Sequence, residues 1–105
     1  MLPSNEHAPT YELQQVQWLV GQGELTRVIS EAALCGADEL GFDREELVEA
    51  VLSLNPSDFY KSMESERFPS LWQDVYHLSF KGAELYIKLQ MDAKGRGVVI
   101  QFKKR

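Results

Sequence analysis

At 105 residues, 44% apolar and 26% charged, the chain has the size and balance of one globular domain, which argues against wholesale disorder and against a second core. Its net charge of −5 argues against a uniformly basic nucleic-acid binder. No apolar run approaches the roughly 20 residues of a membrane helix, the N-terminal stretch Met1 to His7 lacks the basic and apolar regions of a signal peptide, and a single cysteine cannot form an internal disulfide.

The expected location is therefore the cytoplasm, with no membrane partner. One cysteine and two histidines fall short of the ligands that a structural zinc site takes, so no metal and no cofactor is expected. Cys35 reads as a small core residue. Charge is split along the chain. Met1 to Pro56 carries only Arg27 and Arg44 against ten acids, a net of −8, whereas Ser57 to Arg105 carries nine bases against six acids, a net of +3. Such a split suggests one surface that meets a polyanion and another that meets water or a basic partner.

In chain order, Met1 to Pro9 is expected to be an irregular tail, and residues 10–105 one domain. Thr10 can cap a helix whose apolar positions Leu13, Val16, Leu19 and Val20 fall at helical spacing, with Trp18 adding apolar bulk and Gly21 and Gly23 ending it. A second helix is predicted from near Thr26, carrying Val28, Ile29, Ala32, Ala33 and Leu34 and breaking at Cys35-Gly36 or at Gly41. A third starts on Asp43, with Glu46 placed for a reciprocal cap and a stripe of Leu47, Val48, Val51, Leu52 and Leu54. Pro56 stops it. The stretch Phe59 to Met63 suits either one further turn capped by Ser57 or an extended segment, and Glu64 to Ser70 reads as a loop.

From Trp72 the period changes to two. Asp74 to Phe80, Ala83 to Met91 and Val98 to Lys103 read as strands, joined by a tight Lys81-Gly82 turn and a glycine-bearing loop over Asp92 to Gly97. The predicted class is α+β, with N-terminal helices packed on a C-terminal antiparallel sheet. Alternation sorts the side chains. Leu85, Ile87, Leu89 and Met91 share a face that must meet the helices, which leaves Tyr86 and Lys88 on the other. In the last strand Val98, Ile100 and Phe102 are expected on one face and Val99, Gln101 and Lys103 on the other. Gln73 has the parity of Val75 and His77.

A sheet covered on one side would thus let Tyr86, Lys103 and Gln73 meet on its open side, with Lys61 arriving from the preceding segment. A phenol, two amines and an amide fit RNA cleavage without a metal. A ribose 2′-hydroxyl attacks the adjacent phosphate, developing charge needs fixed cations, and protons must leave one oxygen and reach another. Nearby lysines are expected to lower the Tyr86 pKa by favouring the phenolate. His77, with its near-neutral pKa, is a second candidate for proton exchange. Taken singly, the lysines also read as solvated surface residues and Tyr86 as a cross-strand packing residue.

Asp58-Phe59-Tyr60-Lys61-Ser62-Met63, followed by Trp72-Gln73-Asp74-Val75-Tyr76, the strand Tyr86-Ile87-Lys88-Leu89 and the tail Val99 to Lys103, resembles the motility quorum-sensing regulator (MqsR) family of bacterial toxins. Ala37-Asp38-Glu39-Leu40-Gly41 is similar to the family's segment between helices. The resemblance implies a twisted antiparallel sheet like those of small RelE-type toxin ribonucleases. It also implies an mRNA interferase activity at short, GCU-like sites that inhibits translation. Carried over by motif, the catalytic residues would be Lys61, Gln73, Tyr86 and Lys103, with Lys88, His77 and Arg105 as substrate-binding side chains. The implied partners are mRNA and an MqsA-type antitoxin, with DNA touched only through that antitoxin. Two departures are visible: the position after Tyr76, basic in the family pattern, is His77, and the N-terminal helices are unusually acidic for a ribonuclease. The rival reading is a non-catalytic, antitoxin-binding protein that keeps the toxin fold.

Overall fold

The computed structural model describes residues 7–105, so most of the expected tail over Met1 to Pro9 lies outside the described residues. The elements run α1 (Leu13–Gln22), β1 (Arg27–Ile29), α2 (Glu31–Glu39), α3 (Arg44–Leu52), one 3-10 turn (Pro56–Asp58), β2 (Phe59–Glu64), β3 (Trp72–Phe80), β4 (Ala83–Met91) and β5 (Gly97–Lys104). The strands form one sheet in the order β1-β5-β4-β3-β2, antiparallel except for the parallel β1–β5 edge. The fold is α+β, as predicted. No helix among the described residues is long and apolar enough to cross a membrane.

The core lies between the helices and one sheet face. Leu13, Val16 and Val20 of α1, Ala33 and Ala37 of α2, and Leu47, Ala50 and Val51 of α3 close over Tyr76, Leu85, Ile87, Leu89, Val99 and Phe102. Helices of nine or ten residues are marginal alone, so this burial, worth roughly 1.5–3 kcal/mol per large side chain, holds them. The third helix opens as read: the Asp43 carboxylate accepts from the Glu46 N–H, and the Glu46 side chain accepts from the Asp43 N–H. Gln17 fastens α1 to its far end, donating from Nε2 to the carbonyls of Val51 and Leu54 at 3.0 and 2.9 Å.

Several expectations are corrected. Thr10 does not cap α1, whose N-cap residue is Glu12. Instead the N–H groups of Thr10 and Tyr11 donate to the buried Asp74 carboxylate, and the Thr10 hydroxyl pairs with that of Ser62. No helix starts at Thr26. Val28 and Ile29 belong to β1, because the β-branched pair finds a free edge on β5, and the helix begins after Ser30. Ser30 Oγ accepts from the Ala33 N–H and donates to the Ile100 carbonyl, tying the cap to the sheet.

The second helix passes straight through Cys35-Gly36 and stops before Gly41. Gly36 is there for proximity, since a methyl group on it would fall 1.8 Å from the Phe102 carbonyl oxygen. Cys35, on the opposite side of the helix, is exposed rather than a core residue. Trp18 is likewise 61% exposed and outside the core. Phe59 to Met63 is extended, as β2. Simple alternation fails in β5, where a bulge between the pairs Lys88–Gln101 and Leu89–Val99 puts Val99 with Phe102 on the helix side and sends Val98 and Ile100 away from it.

Candidate active site

The sheet face away from the helices carries the pair Ser79 and Glu84 at its outer edge and, inside it, three further rows of cross-strand neighbours. At one end His77, Tyr86 and Lys103 stand side by side on β3, β4 and β5. The next row is Lys61, Val75, Lys88 and Gln101. The last is Met63, Gln73, Gln90 and Val98. Rows two residues apart lie about 7 Å from one another, which spans a phosphate and its sugar. Val75 is fully buried and forms the floor, so the flanking amines project above a dry base.

Tyr86 is the centre. The Lys103 ammonium lies 4.9 Å from its ring centre and that of Lys88 5.9 Å, and its hydroxyl leans back to within 4.0 Å of the Met63 sulfur. Burial first, and then Tyr60, push the Tyr86 pKa up, contrary to the expected lowering. The reason is desolvation: burying the phenol penalises its charged form, and no hydrogen bond from either ammonium to the phenolic oxygen offsets that cost. At neutral pH Tyr86 is therefore a hydrogen-bond donor. Burial and the charges of Lys103 and Lys61 hold Lys88 below the usual lysine range, with Glu66 acting against them. His77 is also held below its ordinary value, by burial and then by Arg105 and Lys61, and its ring is neutral at pH 7.

The remaining candidates are placed less centrally. Gln73 shares the face but is buried in the last row, its Nε2 donating to Gln90 Oε1 at 2.9 Å. It borders a cleft of about 440 Å³ that also involves Met63, Ser65, Arg67, Lys88 and Gln101. Arg105 follows β5, where its N–H donates to the Glu84 carbonyl and its guanidinium stands 3.7 Å from the Glu84 carboxylate. Thus Lys61, Tyr86, Lys88, Lys103 and His77 are brought together, while Gln73 and Arg105 stand at opposite borders.

One residue was not foreseen. A register shift between Phe59 and Lys61 turns Tyr60 onto this face, where its ring stacks on His77 with centroids 4.1 Å apart and planes 20° apart. No local pattern in the sequence signals that bulge. The helices α2 and α3 carry the exposed acids Glu31, Asp38, Glu39, Glu45 and Glu49, whereas the lysine-bearing face has Glu84 beyond the Tyr86 row and Glu66 at the cleft beside Lys88.

A family model described as "Motility quorum-sensing regulator, toxin of MqsA" matches residues 8–104. The mRNA interferase toxin MqsR of Escherichia coli (strain K12) is 36% identical over 84 residues, which is 80% of this chain and 84% of that protein.

Proposed function

The chain belongs to the motility quorum-sensing regulator family of toxins, and from that premise we infer that it is an mRNA interferase, an endoribonuclease whose active site is the open face of the sheet. The observation that carries the site assignment is the placing of the Lys88 and Lys103 ammonium groups against the Tyr86 ring, with Lys61 in the row of Lys88 and close enough to act on its charge. In this reading a backbone phosphate of single-stranded RNA sits among the three ammonium groups. The ribose 2′-hydroxyl releases its proton to solvent as its oxygen bonds to phosphorus, and the bond to the 5′-oxygen breaks, leaving a 2′,3′-cyclic phosphate and a 5′-hydroxyl that takes its proton from Tyr86, itself reprotonated from solvent. The lysines stabilise the charge that develops on the phosphoryl oxygens, the task that preorganised cations perform best. Tyr86, protonated at neutral pH, offers its hydrogen towards the leaving oxygen.

Gln73 has a supporting part, shaping the neighbouring cleft from its bond with Gln90. Lys88, His77 and Arg105 extend the surface over which the strand lies. No metal is assigned a part, because the ammonium groups already supply positive charge at the phosphate. The family's description supports an MqsA-type antitoxin as a partner; in this reading that antitoxin neutralises the toxin and is its route to DNA. An mRNA substrate favours a cytoplasmic location, and the family resemblance favours cleavage at short GCU-like sequences.

The test is incubation of antitoxin-free protein with a long defined message in EDTA, followed by mapping of new 5′ ends. Discrete cuts recurring at one short sequence, absent with Lys61→Ala, are expected. An intact message in the presence of folded protein would overturn the catalytic reading in favour of a non-catalytic antitoxin-binding protein.

A further inference from the structure

We propose that Tyr60, presented by the β2 bulge and backed by His77, is a stacking platform for a nucleobase flanking the scissile phosphate. This rests on the ribonuclease reading above and adds a subsite to it. Tyr60 is a large aromatic side chain that stays 55% exposed, although an aromatic side chain usually gains by burying its apolar surface. One face of its ring is covered by the His77 imidazole at 4.1 Å, and His77 in turn meets Tyr86 at a tilt of 44°, with ring centres 6.1 Å apart. An exposed ring supported from behind has already lost the rotamer freedom that binding would cost it.

The surroundings point to RNA and not to a protein surface. The Lys61 ammonium lies 5.6 Å from the Tyr60 ring centre, and Arg105 lies close enough to His77 to act on its charge. Tyr60 in turn is near enough to Tyr86 to hold up its phenol, so the platform adjoins the centre of the reaction. A neutral imidazole stacks without adding a charge that a base would have to desolvate. Unpaired bases of single-stranded RNA stack readily on such rings while neighbouring cations take the phosphates, and the preference is for a π-face more than for a particular base.

The experiment uses an oligonucleotide carrying a single 2′-deoxy residue at the mapped cut, which binds but cannot be cut, with 2-aminopurine beside that position. Wild-type protein is expected to quench the fluorophore. Tyr60→Phe and Tyr60→Trp should bind within about twofold of wild type, whereas Tyr60→Ala and Tyr60→Leu should bind roughly 5- to 100-fold more weakly, the range that loss of one stacked base spans. On a cleavable strand the same loss should appear in KM, with kcat changed much less. Tyr60→Leu keeps apolar bulk, so it separates stacking from packing, and circular dichroism checks the fold of each variant. Unchanged RNA affinity and quenching in Tyr60→Leu would overturn the proposal, and so would a loss of antitoxin binding alone. If wild-type protein cuts no message, the ribonuclease reading falls and the platform with it; cutting that ignores Tyr60 overturns the platform only.

Discussion

Lys103 stands directly opposite Tyr86 in the β4–β5 ladder, with its ammonium 4.9 Å from the centre of the Tyr86 ring. In the mechanism proposed above, the pair would supply a cation and a proton donor to phosphate transfer from neighbouring strands of one sheet. Lys103→Met is accordingly expected to reduce kcat about 100- to 1,000-fold, the usual effect of removing one preorganised charge. Because Lys103 is exposed, unfolding free energy should stay within about 0.5 kcal/mol of wild type. Single-turnover cleavage beside urea melts would separate the two effects, and a variant of full activity would remove Lys103 from the site.

Gly36 is where α2 touches β5. Alanine normally favours a helix over glycine by about 1 kcal/mol, but here the added methyl group would collide with the Phe102 carbonyl, which belongs to a fully buried strand residue. Gly36→Ala should therefore destabilise, by about 1–3 kcal/mol, and lower Tm by roughly 5–20 °C. Calorimetry decides it, and a Tm at or above that of wild type would show that the helix can lift off the sheet at little cost.

Asp74 holds the chain entering α1. It is 1% exposed and accepts the Thr10 N–H at 3.0 and 2.9 Å and the Tyr11 N–H at 2.9 Å. Asp74→Ala leaves those donors without a partner, at about 1–3 kcal/mol. Hydrogen exchange should report it locally, with the amides of Thr10 and Tyr11 losing protection more than those of β4. Equal loss everywhere would mean that Asp74 supports the whole sheet.

Tyr76 sets an alkaline limit. Burial, aided by the Asp74 charge, pushes its pKa up to about 12 from 10.0. The folded state thus keeps a proton that the unfolded chain gives up near pH 10. Stability from this group is complete below pH 10 and is lost as pH rises towards 12, by roughly 2–3 kcal/mol. Tyr76→Phe should flatten that part of the curve in urea melts between pH 9 and 12, and an unchanged slope would place the sensitivity elsewhere.

What the sequence determined by itself is whatever depends on near neighbours. The alternation Leu85, Ile87, Leu89 put Tyr86 and Lys88 on the solvent side because burial of one strand face leaves the other open. The Asp43–Glu46 cap, the α1 stripe and the Lys81-Gly82 turn are equally local. Tertiary structure decided the rest. The three residues of β1 are a strand only because β5 offers an edge, and the bulges at Tyr60 and Ile100 arise from register with partner strands. The side of α2 that faces the core, and hence the exposure of Cys35, follows from the Gly36 contact with Phe102. The upward shift of Tyr86 and the depth of Gln73 were illegible for the same reason: desolvation is set by groups brought together from distant parts of the chain.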